Sequence, residues 1–426
     1  MRAVLSLQKL FGFNVAGHQS SVGTEVLAGF TTFGAMGYII AVNPAILAVT
    51  GANRADMITV TVLAAMCGSL LMAFLSRLPI ALAPGMGSNA VFAQVVVVKM
   101  GLSYGTALTM VLVGGILFTC LSLSNVRQHI VRGFPASIRI GLQAGIGLFI
   151  AYLGLRSGGL IVTDPAGGVA FADLRSPSVM VVFLSLLLIA ALVAARVRGA
   201  MLLSILAVTV AGLFIQTSPG HVMTVLPAQA VALPLTLYFF LSDFFSATAT
   251  MIAVTRRAGM MDAQGNFMNS RRAFLADGLA SIVGACLGSP TVGAYVESAT
   301  GVEAGGRTGL TTLTVAILFG LSAFFWPLIA CIPPQATTAA LVMVGILMME
   351  GLTELDISDP LQSVSAGMIV LLTVTTANLM IGICAGCFAY TVMAVATRSW
   401  ARLTPVFLLT NVLLVIYLVL VTYTVN

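Results

Sequence analysis

Two stretches decide the fold: Pro79-Ile80-Ala81-Leu82-Ala83-Pro84-Gly85-Met86-Gly87-Ser88-Asn89-Ala90 and Ser289-Pro290-Thr291-Val292-Gly293-Ala294-Tyr295-Val296-Glu297-Ser298. Each begins as a short extended apolar piece, meets a Pro/Gly break, and resumes as a helix too short to span. A bilayer crossing takes about 20 mostly apolar residues for about 30 Å of hydrocarbon. Non-helical backbone at that depth survives only where protein or a water-filled cavity satisfies it. Paired interrupted segments in the two halves of a chain point to a transporter binding site.

The surrounding chain fits that reading. Of its 426 residues, 59% are hydrophobic and 8% charged, with 19 basic and 13 acidic side chains. A soluble domain carries roughly 25% charged residues. Soluble enzymes, secreted disulfide scaffolds and disordered chains are therefore excluded, which leaves an all-α polytopic membrane protein. Apolar stretches predict spans near 24–49, 56–76, 83–100, 105–124, 137–155, 178–196, 200–216, 234–254, 272–288, 295–304, 309–330, 335–350, 361–380 and 382–397. A further apolar segment, 404–424, is an extra span or lies along the surface. The longest polar linkers are Ser157–Pro177, Thr217–Leu233 and Arg256–Arg272. No signal peptide is visible, and Leu5 to Phe13 reads as a short amphipathic surface helix.

Thr32-Phe33-Gly34-Ala35-Met36-Gly37-Tyr38-Ile39-Ile40-Ala41-Val42 in span one echoes Phe245-Ser246-Ala247-Thr248-Ala249-Thr250-Met251-Ile252-Ala253-Val254 in span eight. Span one then pairs with eight and three with ten. Seven is odd, so the second copy enters from the opposite side. The expectation is 14 transmembrane segments as a 7+7 inverted repeat, with broken third and tenth spans. An N-terminal segment (1–23), two repeats (24–216 and 217–403) and a C-terminal apolar segment (404–426) divide the chain. With the N-terminus cytoplasmic, 15 of the 19 Lys and Arg fall inside, as the positive-inside rule asks. Outside fall only Arg54, Lys99, Arg156 and Arg175. Fusing 361–397 into one bent span makes 404–424 the fourteenth and gives 13 to 6 instead. The net charge of +6 thus reads as topology, and no nucleic-acid partner is implied.

Three acidic residues lie deep in apolar segments: Asp243, Asp277 and Glu297. A carboxylate at the bilayer centre costs about 2.5–3.5 kcal/mol on insertion scales, so each is a functional candidate. Asp277 is the weakest, since it sits near the Arg271/Arg272 end of its span. Glu297 falls in the first turn of the tenth-span half-helix, where unsatisfied N–H groups carry partial positive charge. Asn89 stands near the equivalent place in the third span. Inverted topology points the two half-helices at each other, with Phe92, Tyr295 and Phe244 nearby. Such a pocket suits a flat, uncharged or weakly acidic heterocycle. A plain anion would also suit helix N-termini, but Glu297 and Asp243 would repel it unless protonated.

Other patterns carry less. Gly301-Val302-Glu303-Ala304-Gly305-Gly306-Arg307-Thr308 nearly reads as a phosphate loop, but Arg stands where Lys belongs and no strand precedes it. Cys384-Ala385-Gly386-Cys387 lies in an apolar span and reads as packing. His18, His129 and His221 fall in loops. No metal, no cofactor and no hydrolytic constellation is indicated, and so no enzyme.

The sequence resembles the AzgA-type purine permeases, related to the nucleobase–cation symporters. The resemblance rests on Gly29-Phe30-Thr31-Thr32-Phe33, Tyr38 to Pro44, Ala83-Pro84-Gly85-Met86-Gly87-Ser88-Asn89-Ala90 and Ala144 to Ile150. Tyr295-Val296-Glu297-Ser298-Ala299, followed by Ala304 to Leu310, is the most telling stretch. The likeness implies import of adenine, guanine or hypoxanthine by proton symport across the bacterial inner membrane. It implies core spans 1–4 and 8–11, gate spans 5–7 and 12–14, and a homodimer formed through the gate. It assigns base binding to Glu297, base or proton to Asp243, and pocket shape to Asn89. The candidate site is then Gly87, Ser88, Asn89, Asp243, Phe244, Ser246, Tyr295, Glu297 and Ser298, with Asp243, Glu297 and Asp277 for the proton. Ser246, Ala249 and Ser88 depart from the family pattern. The rival on the same fold is an anion carrier of the sulfate/bicarbonate kind, or a uracil/xanthine transporter.

Overall fold

In the computed structural model, β1 (Leu82–Pro84) and β4 (Val292–Ala294) pair antiparallel, with Leu82 opposite Ala294, Ala83 opposite Gly293 and Pro84 opposite Val292. The two sequence breaks are thus one feature, a two-stranded crossing buried inside a helical bundle. The structure describes residues 13, 15, 17, 20–123, 135–163, 169–173, 175–197, 199–212, 232–261, 267–325, 329, 331–376, 379–412 and 414–415. Outside them fall the expected surface helix apart from Phe13, most of the Thr217–Leu233 linker, His18, His129, His221, and the basic residues Arg2, Lys9, Arg127, Arg132 and Arg198.

Span one is two helices, α1 (Val22–Met36) and α2 (Ile39–Ala48), broken at Gly37-Tyr38. Span two is α3 (Arg54–Leu71), which loosens into a π-helical turn over Met72–Ser76. The third span continues from β1 as α4 (Met86–Val91) and a π-helix over Phe92–Lys99. Then come α5 (Tyr104–Leu123), α6 (Ala136–Ser157), α7 (Pro177–Ala194) and α8 (Ala200–Gly212). The second half holds α9 (Ala232–Arg257), α10 (Ser270–Leu287), β4 and α11 (Ser298–Glu303), α12 (Gly309–Ser322), α13 (Pro334–Leu347), α14 (Pro360–Thr375) and α15 (Leu379–Ala396). Residues 405–412 are helical, and those from 416 onward lie outside the described set.

Capping follows the sequence. Ser21, Asn53, Thr308 and Asp359 each accept a first-turn N–H at a helix start. This satisfies donors that the helix leaves orphaned. Pro177, Pro334 and Pro360 stand in first turns, where a missing N–H costs nothing.

Among the described residues, seven helices are long and apolar enough to cross a membrane, with five shorter apolar ones. The remaining two of the 14 segments are α10, which carries Arg271, Arg272 and Asp277, and β4–α11. Both can be polar or short because protein surrounds them. Helix α10 packs on α3 and α5, and α11 on α1 and α9.

The packing repeats itself under exchange of the halves. Helix α5 lies on α10 as α12 lies on α3; α1 on α12 as α9 on α5; α6 on α14 as α13 on α7. The strands repeat down to the atom. Ser69 Oγ of span two donates to the Leu82 carbonyl at 2.8 Å and accepts the Leu82 N–H at 3.0 Å. Ser281 Oγ of span nine donates to the Val292 carbonyl at 2.8 Å and accepts its N–H at 3.3 Å. Tyr295 N–H reaches Ala81 O (3.1 Å) as Gly85 N–H reaches Thr291 O (2.8 Å). Alternate residues of an antiparallel pair face the partner strand, so Leu82 and Val292 turn outward. Each serine satisfies an edge that hydrocarbon could not. Helices α6 and α13, equivalent to one another, cross glycine on glycine: a Cβ on Gly147 would lie 2.5 Å from the Gly345 carbonyl oxygen.

One element was not expected. The linker after α6 forms a hairpin, β2 (Ile161–Thr163) with β3 (Val169–Phe171). Its alternation is too short to separate from loop in the sequence.

Candidate functional site

The Gly37-Tyr38 break turns Tyr38 inward from span one, where its ring is fully buried. Its hydroxyl donates to Glu297 Oε1 at 2.6 Å. Glu297 caps α11 in helical backbone geometry and does not use its side chain as the cap. Its carboxylate is therefore free to face the crossing. Gly85, Gly87, Gly293, Ala294 and Glu297 are half-buried, whereas the residues behind them are buried. They outline an accessible floor across both breaks. Tyr295 Oη donates to the Pro84 carbonyl at 2.5 Å and ties the two breaks together.

The other expected residues divide into those beside the floor and those behind it. Ser88 pairs with the Thr291 hydroxyl and donates to the Gly85 carbonyl at 3.1 Å. Ser298 Oγ accepts the Ala81 N–H at 3.0 Å. Asn89 is fully buried; its Nδ2 donates to Asn43 Oδ1 at 2.8 Å, and Asn43 Nδ2 donates to Thr61 Oγ1 at 2.8 Å. This polar chain joins spans three, one and two behind the floor. Counting equal steps from the equivalent strands, Gly87 rather than Asn89 is the counterpart of Glu297. A Cβ on Gly87 would lie 2.6 Å from Ile146 Cγ2 of α6, so span three approaches span five closely there.

Asp243 of α9 accepts from Ser281 Oγ at 2.7 Å. Asp277 of α10 is fully buried, and neither of its carboxyl oxygens meets a hydrogen-bond partner at ordinary geometry among the described residues. The two acids share a corner: a Cβ on Gly293 would lie 3.2 Å from Asp243 Oδ1 and 3.9 Å from Asp277 Oδ1. Buried carboxyl groups this close cannot both ionise without large cost. Phe244 is fully buried, its ring 5.8 Å from Phe118 and 5.3 Å from Phe245. Phe92 is buried against Tyr104 at 4.9 Å. Both rings are wall packing. Ser246 and Ala249 of α9 are exposed, whereas Asp243, one turn before Ser246, is buried.

Tyr38, Ser69, Ser281 and Glu25 were not singled out in the sequence. Glu25 is fully buried and accepts the N–H groups of Arg307 (3.1 Å) and Thr308 (3.2 Å) and the Thr311 hydroxyl (2.6 Å). The amides of the near-phosphate loop are thus held by a carboxylate of span one. Among the described residues no cluster of His, Cys, Asp and Glu could hold a metal ion.

A part-buried carboxylate beside glycine backbone can accept ring N–H groups, with backbone groups left for a partner's polar edge. Residues 23–383 match the model of a permease family. The chain belongs to it. The permease is 37% identical over 406 residues to the adenine permease AdeQ of Escherichia coli K12, covering 92% of this chain and 91% of that one. It is 35% identical over 429 residues to the guanine/hypoxanthine permease PbuO of Bacillus subtilis 168, covering 95% and 99%. Among solved structures, the transmembrane domain of the cyanobacterial bicarbonate transporter BicA superposes with a TM-score of 0.64 at 16% identity, covering 85% of this chain and 97% of that chain. SLC26A9 gives 0.64 at 12% identity, covering 93% and 70%. These likenesses, with the exchange symmetry of the packing, establish the 7+7 inverted-repeat fold. The permease is an integral membrane transporter and not an enzyme.

Proposed function

We propose that this permease imports purine nucleobases of the adenine, guanine and hypoxanthine class by proton symport, in a bacterial inner membrane with its N-terminus inside. The observation that carries the reading is the part-buried Glu297 carboxylate at the strand crossing, hydrogen-bonded to Tyr38. A purine N–H replaces the tyrosine donor there, and backbone groups at Gly85, Gly87 and Gly293 face the ring's polar edge. The names of the curated relatives support the substrate class.

Spans 1–4 and 8–11 pack mainly on one another, as do 5–7 and 12–14. This supports a core that rocks against a gate, exposing the crossing to each side in turn, with the gate as dimer interface. Proton binding at the Asp243/Asp277 corner neutralises buried charge and favours one orientation. One proton moved inward gains about 2.3 kcal/mol per 100 mV. An anion on the same fold would face Glu297 and Asp243. The test is uptake of labelled adenine, guanine and hypoxanthine into cells expressing the chain. Saturable uptake abolished by a protonophore is expected; flux of sulfate or bicarbonate without nucleobase competition would overturn the reading.

A further inference from the structure

The two serines that clamp the crossing strands have identical tasks but unequal partners. Ser69 serves one carbonyl and one N–H, both of Leu82. Its single hydrogen and one of its two lone pairs are used. Ser281 has the same pair of duties at Val292 and a third neighbour, Asp243 Oδ2 at 2.7 Å. A hydroxyl has one hydrogen and two acceptor sites. Ser281 cannot donate to Val292 O and to Asp243 Oδ2 at once. With a proton on Asp243, the acid donates to Ser281 Oγ, Ser281 donates to Val292 O, and the Val292 N–H donates to Oγ. Every group is then satisfied. Without that proton, the carboxylate takes the serine hydrogen, because charge-assisted hydrogen bonds are roughly twice as strong as neutral ones. The Val292 carbonyl then loses its donor, and it turns away from β1, where Pro84 stands opposite with no N–H to offer.

We infer that Ser281 is a positioning residue that relays the protonation state of Asp243 to strand β4, so that the proton tightens the segment leading to Glu297. Val292 is five residues before Glu297, with Tyr295 between them holding Pro84. A change in β4 therefore reaches the floor of the site. The equivalent clamp at Ser69 has no acid and holds β1 in one state. The relay rests on the proposed proton coupling and adds the atom through which it acts.

The titratable groups on the elements around α9 leave this assignment to Asp243. Asp277 of α10 shares the Gly293 corner, but only Asp243 is hydrogen-bonded to Ser281. Glu297 is held by Tyr38, Tyr104 of α5 by the Gly288 carbonyl at 2.9 Å, and Glu303 of α11 by Arg257 at 2.9 Å. Cys120 and Cys286 are exposed, Arg271 donates to the Leu123 carbonyl at 2.6 Å, and Arg272 is exposed beside it at the start of α10. Strand β4 and helix α4 carry no titratable side chain.

The test is hydrogen–deuterium exchange on the full chain in lipid nanodiscs, at about pH 5.5 and 8, corrected for intrinsic rates. The segment 290–296 is compared with 80–86. In the wild type, exchange in 290–296 is expected to be about three- to tenfold slower at the lower pH, with 80–86 unchanged. Ser281→Ala abolishes the difference and Ser281→Thr, which keeps the hydroxyl, retains it. A pH-independent β4 in the wild type, or a difference that survives in Ser281→Ala, overturns the relay. If Ser281→Ala does not fold, the wild-type contrast and Ser281→Thr decide. Purine binding to the same sample separates the two ideas. Binding without a β4 response sinks the relay alone; a Ser281-dependent response without purine binding upholds the relay and sinks the nucleobase reading.

Discussion

The third-span and tenth-span breaks share a backbone and differ in chemistry. Both have a three-residue strand, an outward edge clamped by a serine of the preceding span, and a half-helix. Yet Gly87 stands where its counterpart is Glu297, and Ser69 has no acid where Ser281 meets Asp243. The β1 side presents backbone to the site and packs tightly on span five. The β4 side presents carboxyl groups. Symmetry supplies the scaffold, and the departures from symmetry coincide with the proposed substrate and proton sites.

The contrast can be broken first at its acidic end. Glu297→Gln removes the negative charge and one of the two acceptor oxygens while keeping shape. Nucleobase affinity is expected to fall about 100-fold or more, since hydrogen bonds to charged groups contribute about 1.5–3 kcal/mol and the amide adds an unmatched donor. Equilibrium binding of labelled purine checks this. At the symmetric end, Ser69→Ala strands a buried N–H and carbonyl of Leu82. It is expected to lower stability by about 1–3 kcal/mol and to leave transport per folded molecule and its pH profile unchanged. Thermal melting paired with uptake per folded molecule reads both.

Tyr38→Phe sharpens the comparison at the substrate itself. The Tyr38 hydroxyl donates to the Glu297 carboxylate at 2.6 Å, where the proposed purine N–H would bind. Its removal is expected to tighten purine binding about two- to tenfold, the range for one exchanged hydrogen bond. Weaker binding in Tyr38→Phe would mean that the phenol contacts the ligand instead. The smallest effect lies outside both breaks. Arg402 donates to Asp359 Oδ2 at 2.7 Å, and this hydrogen bond holds the Asp359 carboxyl below its ordinary range. The pair's contribution is complete above the unfolded aspartate pKa of about 3.9 and is lost as pH falls through the lower folded value. Arg402→Gln should therefore leave melting nearly unchanged near neutrality, as exposed pairs contribute little, and remove only a slight sensitivity in acid.

Much of the fold was legible because hydrocarbon imposes blunt rules. Pro84-Gly85 and Pro290 to Gly293 cannot continue an α-helix, and their recurrence in both halves announced the inverted repeat. The deep acids stood out for the same reason. What the chain concealed was register and partnership. Asn89 resembles a counterpart to Glu297 by eye, but pairing of Ala83 with Gly293 places Gly87 there and turns Asn89 to Asn43. Nothing local to Tyr38 marks its partner, which lies in the other half of the chain. Ser69 and Ser281 look like any small residue in an apolar helix until a strand edge is laid against them. Ser246 lies one turn along the same helix from Asp243, yet it is exposed where Asp243 is buried, a difference that spacing alone does not reveal.

The most direct measurement of the central claim is calorimetric titration of the purified chain with adenine, guanine, hypoxanthine, uracil and xanthine. Wild type and Glu297→Gln are compared at two pH values. The account predicts saturable binding of a purine to the wild type, stronger at the lower pH, and its loss in Glu297→Gln with the fold intact. Purine binding of equal strength in Glu297→Gln would contradict it.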